Sequence, residues 1–145
     1  TVQDEKQSRR IPMADLQILA SLPNVQLIDL QYGDTREELA EARSFGVDIY
    51  HDERVDPKLD LDTQAAQISA LDAVVSIDNT TVHLSGALGI PTYILVPVNP
   101  NWRWGLNEGP TYWYGNAKII RNRELNDWKD ALARTSEELR ADKIV

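Results

Sequence analysis

At 145 residues, 42% hydrophobic and 26% charged, the chain has the length and balance of one globular domain able to bury a core. No apolar run approaches the roughly 20 residues that cross a bilayer, and the polar first ten residues lack the apolar stretch of a secretory signal. A net charge of −8 argues against general nucleic-acid binding, and the absence of cysteine removes disulfides, thiolate metal sites and cysteine nucleophiles; the lack of a span, of a signal and of cysteine together favour the cytoplasm.

Thr1–Arg10 reads as a polar terminus or linker, and residues 11–145 as a single domain. Pro12 suits a helix start, after which Met13, Leu16, Leu19 and Ala20 fall on one face until Pro23 and Asn24 break the pattern. Val25–Leu30 reads as a strand. Asp34 is placed as the cap of the next helix, with Glu37 at its third position. That helix runs to Phe45, with Gly46 ending it. Val47–Tyr50 is a second strand and His51–Asp60 a charged loop. Asp60 or Asp62 caps a helix carrying Leu61, Ala65, Ile68 and Leu71 on one side.

Val74–Ile77 is the third strand, Thr80–Leu88 the helix after it, Gly89 its stop, and Thr92–Leu95 the fourth strand. Pro97–Gly115 is a long loop holding three of the four tryptophans, which suggests function rather than disorder. Ala117–Ile120 is a fifth strand. A last helix from Asp127 carries Trp128, Ala131, Leu132, Thr135 and Leu139 on one stripe. Strands alternating with helices imply an α/β fold, a Rossmann-like parallel sheet flanked by helices. Such folds usually open with a strand, whereas this chain opens with a helix. Either that strand lies outside this sequence or the domain starts unusually.

In open α/β sheets, ligands bind beyond the carboxyl ends of the strands. Asp78 stands at such an end, where it could hold the turn so that the backbone N–H groups of Asn79–Val82 face a diphosphate. It could equally be a plain helix cap. Thr80 and Thr81 add hydroxyls there, and His83 lies one turn into the helix as a donor to phosphate or sugar, or as a structural residue. Gly86, inside the helix, suits close packing against the sheet, with Ser85 and Ala87. Trp102, Arg103 and Trp104 could wall a sugar site, with Arg103 meeting a phosphate or a carboxylate, or could anchor their loop on the core. Glu37 could take a ribose hydroxyl pair or serve only as a helix-start residue. Glycine-rich phosphate fingerprints and metal-ligand clusters are absent from the sequence.

The pattern Asp78-(x)4-His83-Leu84-(x)-Gly86-Ala87-Leu88-Gly89-(x)-Pro91, followed by Pro100-Asn101-Trp102-Arg103-Trp104 and Trp113-Tyr114, resembles the C-terminal half of the heptosyltransferase-like glycosyltransferases. Leu30-Gln31-Tyr32-Gly33 fits at the matching strand end, and the resemblance covers about Arg10–Leu139. Asp78-Asn79-Thr80 replaces the Asp-Thr-Gly of heptosyltransferases proper and suits the bacterial subgroup fused to tetratricopeptide repeats. The resemblance implies the donor-binding domain of a two-domain GT-B enzyme that uses no metal and no cofactor, its donor substrate being a nucleotide diphosphate-sugar. It places the diphosphate at Asp78 and the Asn79–Thr81 backbone, His83 beside it, Glu37 near the ribose, and the Trp102–Trp104 loop at the border. The N-terminal GT-B domain, or tetratricopeptide repeats, would belong to the full-length protein, together with the acceptor site and the catalytic base. The family's phosphate-contacting basic residue, expected near the first strand, has no assigned counterpart in this sequence. A non-catalytic protein-interaction domain that keeps the fold is the competing reading, and a flavodoxin-like or epimerase-like binding domain a third.

Overall fold

A computed structural model describes residues 9–145, so the expected polar terminus lies outside the described residues apart from Arg9 and Arg10. The fold is α/β, with helices flanking parallel strands. A 3-10 turn at Met13–Leu16 leads into α1 (Gln17–Ala20), then β1 (Leu27–Ile28), α2 (Arg36–Ser44), β2 (Ile49–Tyr50), α3 (Leu61–Ser69), β3 (Val74–Ile77) and α4 (Thr80–Ala87). Next come β4 (Thr92–Val96), a 3-10 turn at Trp102–Trp104, β5 (Gly109–Pro110), β6 (Ala117–Arg121) and α5 (Lys129–Ala141). No helix among the described residues is long and apolar enough to cross a membrane.

One continuous sheet is expected, but the strands form two. β1 pairs with β2 in parallel, and a separate sheet has the order β3-β4-β6-β5. Within it β3, β4 and β6 are parallel, while β5 runs antiparallel along β6 at the edge. The short β5 lies inside the stretch expected to be loop. Proline has no N–H to donate, and Pro110 is tolerated there because the strand is at an edge.

The core follows from the alternation of side chains along β4, all five residues of which are buried. Tyr93 and Leu95 face one side, where they meet Leu19, Leu22, Ile120, Trp128, Leu132 and Leu139. Ile94 and Val96 face the other, with Val82, Trp104, Ala117 and Ile119. α5 and α1 thus cover the first face; α4 and the Trp104 turn cover the second.

Helix starts obey local hydrogen bonding. The Asp60 carboxylate accepts from the Asp62 and Thr63 N–H groups at 3.0 and 3.3 Å, so Asp60, not Asp62, is the cap of α3. α2 begins one residue later than expected. Thr35 is its cap position, and Asp34 instead accepts from Arg36 N–H and pairs with the Arg36 guanidinium. Glu37 therefore stands at the second helical position, exposed.

A polar clamp ties the end of α5 to the sheet. Tyr93 Oη donates to Asp142 Oδ2 at 2.7 Å, and Lys118 Nζ donates to Glu138 at 2.8 Å and to Asp142 at 2.7 Å. The Lys118 ammonium, and then the Tyr93 hydroxyl, hold the Asp142 carboxyl below its ordinary value. A carboxyl depressed in the folded state stabilises above its unfolded pKa of about 3.9 and loses that contribution as pH falls through its folded value. Thermal unfolding of Asp142→Asn should show a lower Tm than the parent at pH 7, and the gap should narrow as the pH falls below the free carboxyl value. A gap that stays constant with pH would remove this carboxylate from the acid response.

Candidate functional site

The site is built where β3 ends and α4 begins. The first N–H groups of a helix have no intrahelical partner. Here Asn79, not Asp78, supplies the cap: its Oδ1 accepts from Thr81 N–H at 2.9 Å while its Nδ2 donates to Ser76 Oγ at 3.0 Å. Both residues can cap. Asn79 does so because it occupies the extended position directly before Thr80.

Asp78 is left to a different task. Only 5% exposed, it meets two guanidinium groups: Arg9 Nη2 at 3.4 Å from Oδ2 and Arg103 Nη1 at 3.8 Å from Oδ1. Arg9 also donates to the Asp78 backbone carbonyl. A nearly buried carboxylate is costly unless paired, and this one is flanked by cations whose side chains remain 43% and 36% exposed. The arginines thus present positive charge to solvent beside the helix start, with the exposed Thr80 next to them and Thr81 turned into the structure.

One turn further, His83 is half-buried in an aromatic wall. Its ring stacks on Trp104 with centroids 5.3 Å apart and meets Tyr114 edge-on at 5.9 Å. Its Nδ1 lies 2.9 Å from Tyr114 Oη. Trp104 is 3% exposed and belongs to the core, so it anchors the loop, whereas Trp102 is 80% exposed. The loop is held by Trp113 Nε1–H donating to the Arg103 carbonyl at 2.9 Å, by the Asn101 side chain capping Arg103 N–H, and by Gly105, whose φ of 57° ends the turn.

Gly86 explains how the wall closes. A Cβ at this position would stand 2.5 Å from Tyr114 Cγ. The neighbouring Ser85 does face the sheet, its hydroxyl 2.9 Å from that of Thr92. Gly86 instead leaves a notch for the Tyr114 ring, which corrects the expectation that it packs on the sheet.

The structure therefore brings Asp78, Asn79, Thr80, Thr81, His83, Arg103 and Trp104 to one edge. Trp102 points to solvent, and Glu37 is exposed at the start of α2. Arg9 is the member that sequence reading missed. Beyond β1, the carboxylate best placed is that of Asp29, which accepts from Thr35 Oγ1 at 2.7 Å and from Gln31 N–H at 2.9 Å and lies 3.0 Å from His51 Nδ1. These partners make it the lock between the ends of β1 and β2 and the start of α2.

Comparison with known proteins follows the sequence rather than the fold. The chain is similar to protein FlbA of Caulobacter vibrioides, 35% identical over 119 residues. The match takes in 81% of this chain but 20% of FlbA, so the chain spans about a fifth of that protein's length. No family model matches the chain, and no solved structure matches it significantly.

Replacing glycine by alanine inside a helix ordinarily stabilises by roughly 1 kcal/mol. At Gly86 the sign should reverse, because the methyl group would displace Tyr114. Calorimetric Tm values should fall for Gly86→Ala, and the same change made on top of Tyr114→Ala should be neutral or stabilising. Equal effects in both backgrounds would show that the notch is not what requires glycine.

Proposed function

We propose that this domain binds the diphosphate of a nucleotide-sugar and is the donor-binding half of a GT-B glycosyltransferase of the heptosyltransferase-like kind. The observation that carries the reading is the convergence of Arg9 and Arg103 on Asp78 at the start of α4. A diphosphate needs charge-assisted donors held in place before it arrives. Asp78 fixes two guanidinium groups in that position, and the helix N-terminus adds its partial positive charge. Arg9 fills the role of the basic residue for which the sequence offered no counterpart.

In the proposed reaction, an acceptor nucleophile attacks the anomeric carbon as the bond to the diphosphate oxygen breaks. The electron pair leaves with the diphosphate. Arginines and helix N–H groups aimed at that oxygen stabilise the charge as it develops, which is electrostatic catalysis by pre-placed donors. His83 adds a ring nitrogen beside the helix start: where Tyr114 Oη donates to Nδ1, the ring proton stands on Nε2 as a donor. Thr80 contributes its exposed hydroxyl. The acceptor site and the base belong, in this reading, to the other GT-B half.

A second reading draws on the same loop. Trp102, Leu106, Tyr112 and Trp113 are 80%, 87%, 99% and 55% exposed, and large exposed apolar side chains mark contact surfaces. A non-catalytic interaction domain would use them. Loss of a partner in Trp102→Ala, with no nucleotide binding in the parent, would favour it.

Calorimetric titration with UDP, GDP and ADP decides between the two. One of them should bind. Arg103→Ala should weaken it at least about tenfold, or about 1.4 kcal/mol, and Asp78→Ala should weaken it as well by releasing both arginines. Absence of binding at millimolar nucleotide overturns the donor-site reading.

A further inference from the structure

Between the two sheets runs a groove of about 1320 Å³. It exceeds the roughly 300–1,000 Å³ of small-molecule sites. Both β1 and β3 line it, and much of the remaining wall is aliphatic, including Leu19, Leu139, Ile144 and Val145. Among the described residues each strand is hydrogen-bonded on one side only. Val74 N–H donates to the Pro91 carbonyl in the pairing with β4, so the N–H and C=O groups of Val75 and Ile77, pointing the opposite way along the strand, face the groove. By the same alternation Asp29 N–H donates to Tyr50 of β2 and Ile28 points its backbone groups away from β2. Val75, Ser76 and Ile77 are only half-buried, although their neighbours in β4 are fully buried.

We infer that the groove is the seat of one further β-strand, parallel to β3, supplied by polypeptide upstream of Thr1. An extended segment is the occupant that answers the backbone groups of both edges and covers the aliphatic wall. Its direction follows from Arg9. That residue is fastened to the Asp78 carbonyl at the carboxyl end of β3, and the chain then passes through the Met13–Leu16 turn and α1 before entering β1. A strand that delivers the chain to Arg9 at this end of the sheet runs alongside β3 in the same sense, joined to β1 by a helical crossover as parallel strands require. The stretch Thr1–Ser8 has Val2 as its one aliphatic residue and does not match the wall, which places the strand further upstream. Four-fifths of FlbA, the relative that this chain matches, lies outside the matched stretch, since that stretch is 20% of its length. Filling the groove would join β1-β2 and β3-β4-β6-β5 into one sheet. This inference is independent of any nucleotide bound at Asp78.

Single-amide hydrogen exchange tests it on the 145-residue chain and on the same polypeptide extended upstream. In the shorter chain the Val75 and Ile77 amides should exchange much faster than those of Val74 and Ser76, which donate to β4. In the longer one the Val75, Ile77 and Ile28 amides should slow at least about 100-fold, which corresponds to roughly 2.7 kcal/mol of added protection. Equal exchange in the two monomeric proteins overturns the inference. So does protection in the shorter chain that grows with protein concentration, which would assign the edge to a second copy. A reading frame without a mostly apolar run of about five or six residues upstream of Thr1 overturns it as well.

Discussion

Strand β4 has no exposed face, and the arrangement of the molecule depends on that constraint. A central parallel strand has to be covered on both sides, so Tyr93 and Leu95 call for α5 and α1 while Ile94 and Val96 call for α4 and Trp104. The parallel register of β3 on β4 sets their carboxyl ends side by side. The turn into α4 then lies at the rim of a rigid layer, and the Trp104 turn returns over the same rim. The aromatic wall is therefore an extension of the core rather than an ornament on a loop. His83 is positioned by the same ring that fills the space above Ile94 and Val96.

The electrostatics of this rim run against the global charge. A chain of net charge −8 places two guanidiniums around one nearly buried carboxylate. Local geometry outweighs the distant negative surface because charges separated by more than about 8–10 Å are screened at ordinary ionic strength. Asp78 does not itself attract an anion. It pairs with two cations that stay in contact with solvent, at the cost of keeping a carboxylate out of water, and the hydrogen bond from Arg9 to its carbonyl draws the N-terminal side of the domain to the same point.

The order of helices and strands was legible because each element carries a local signal. Short apolar runs marked β3 and β4, the Asp60/Asp62 pair marked the start of α3, and the stripe through Trp128 and Leu132 marked α5. Relations that depend on a partner far along the chain were not legible. Asp78 and Asn79 are both good caps, and only the backbone geometry at Asn79 separates them. The notch at Gly86 has meaning only beside Tyr114, and the Asp29 carboxylate only beside His51. Arg9 sits in a polar stretch with no periodicity, so nothing in the sequence joins it to Asp78. The split of the sheet escaped for a similar reason: an apolar run shows that a segment can be a strand, not which strand lies next to it.

That split has a consequence for cooperativity. A two-stranded sheet is marginal by itself, and β1 and β2 meet over only two residues each. What retains them is the Asp29 lock and the packing of Leu27 and Val25 on the α5 side of the core. The β1–α2–β2 lobe is therefore the unit expected to open first, with β3, β4 and β6 still closed. Unfolding of these 145 residues would then begin at the lobe and reach the Trp104 side of the core last, with Trp128 reporting the first stage because Val25 and Leu27 pack on its cluster.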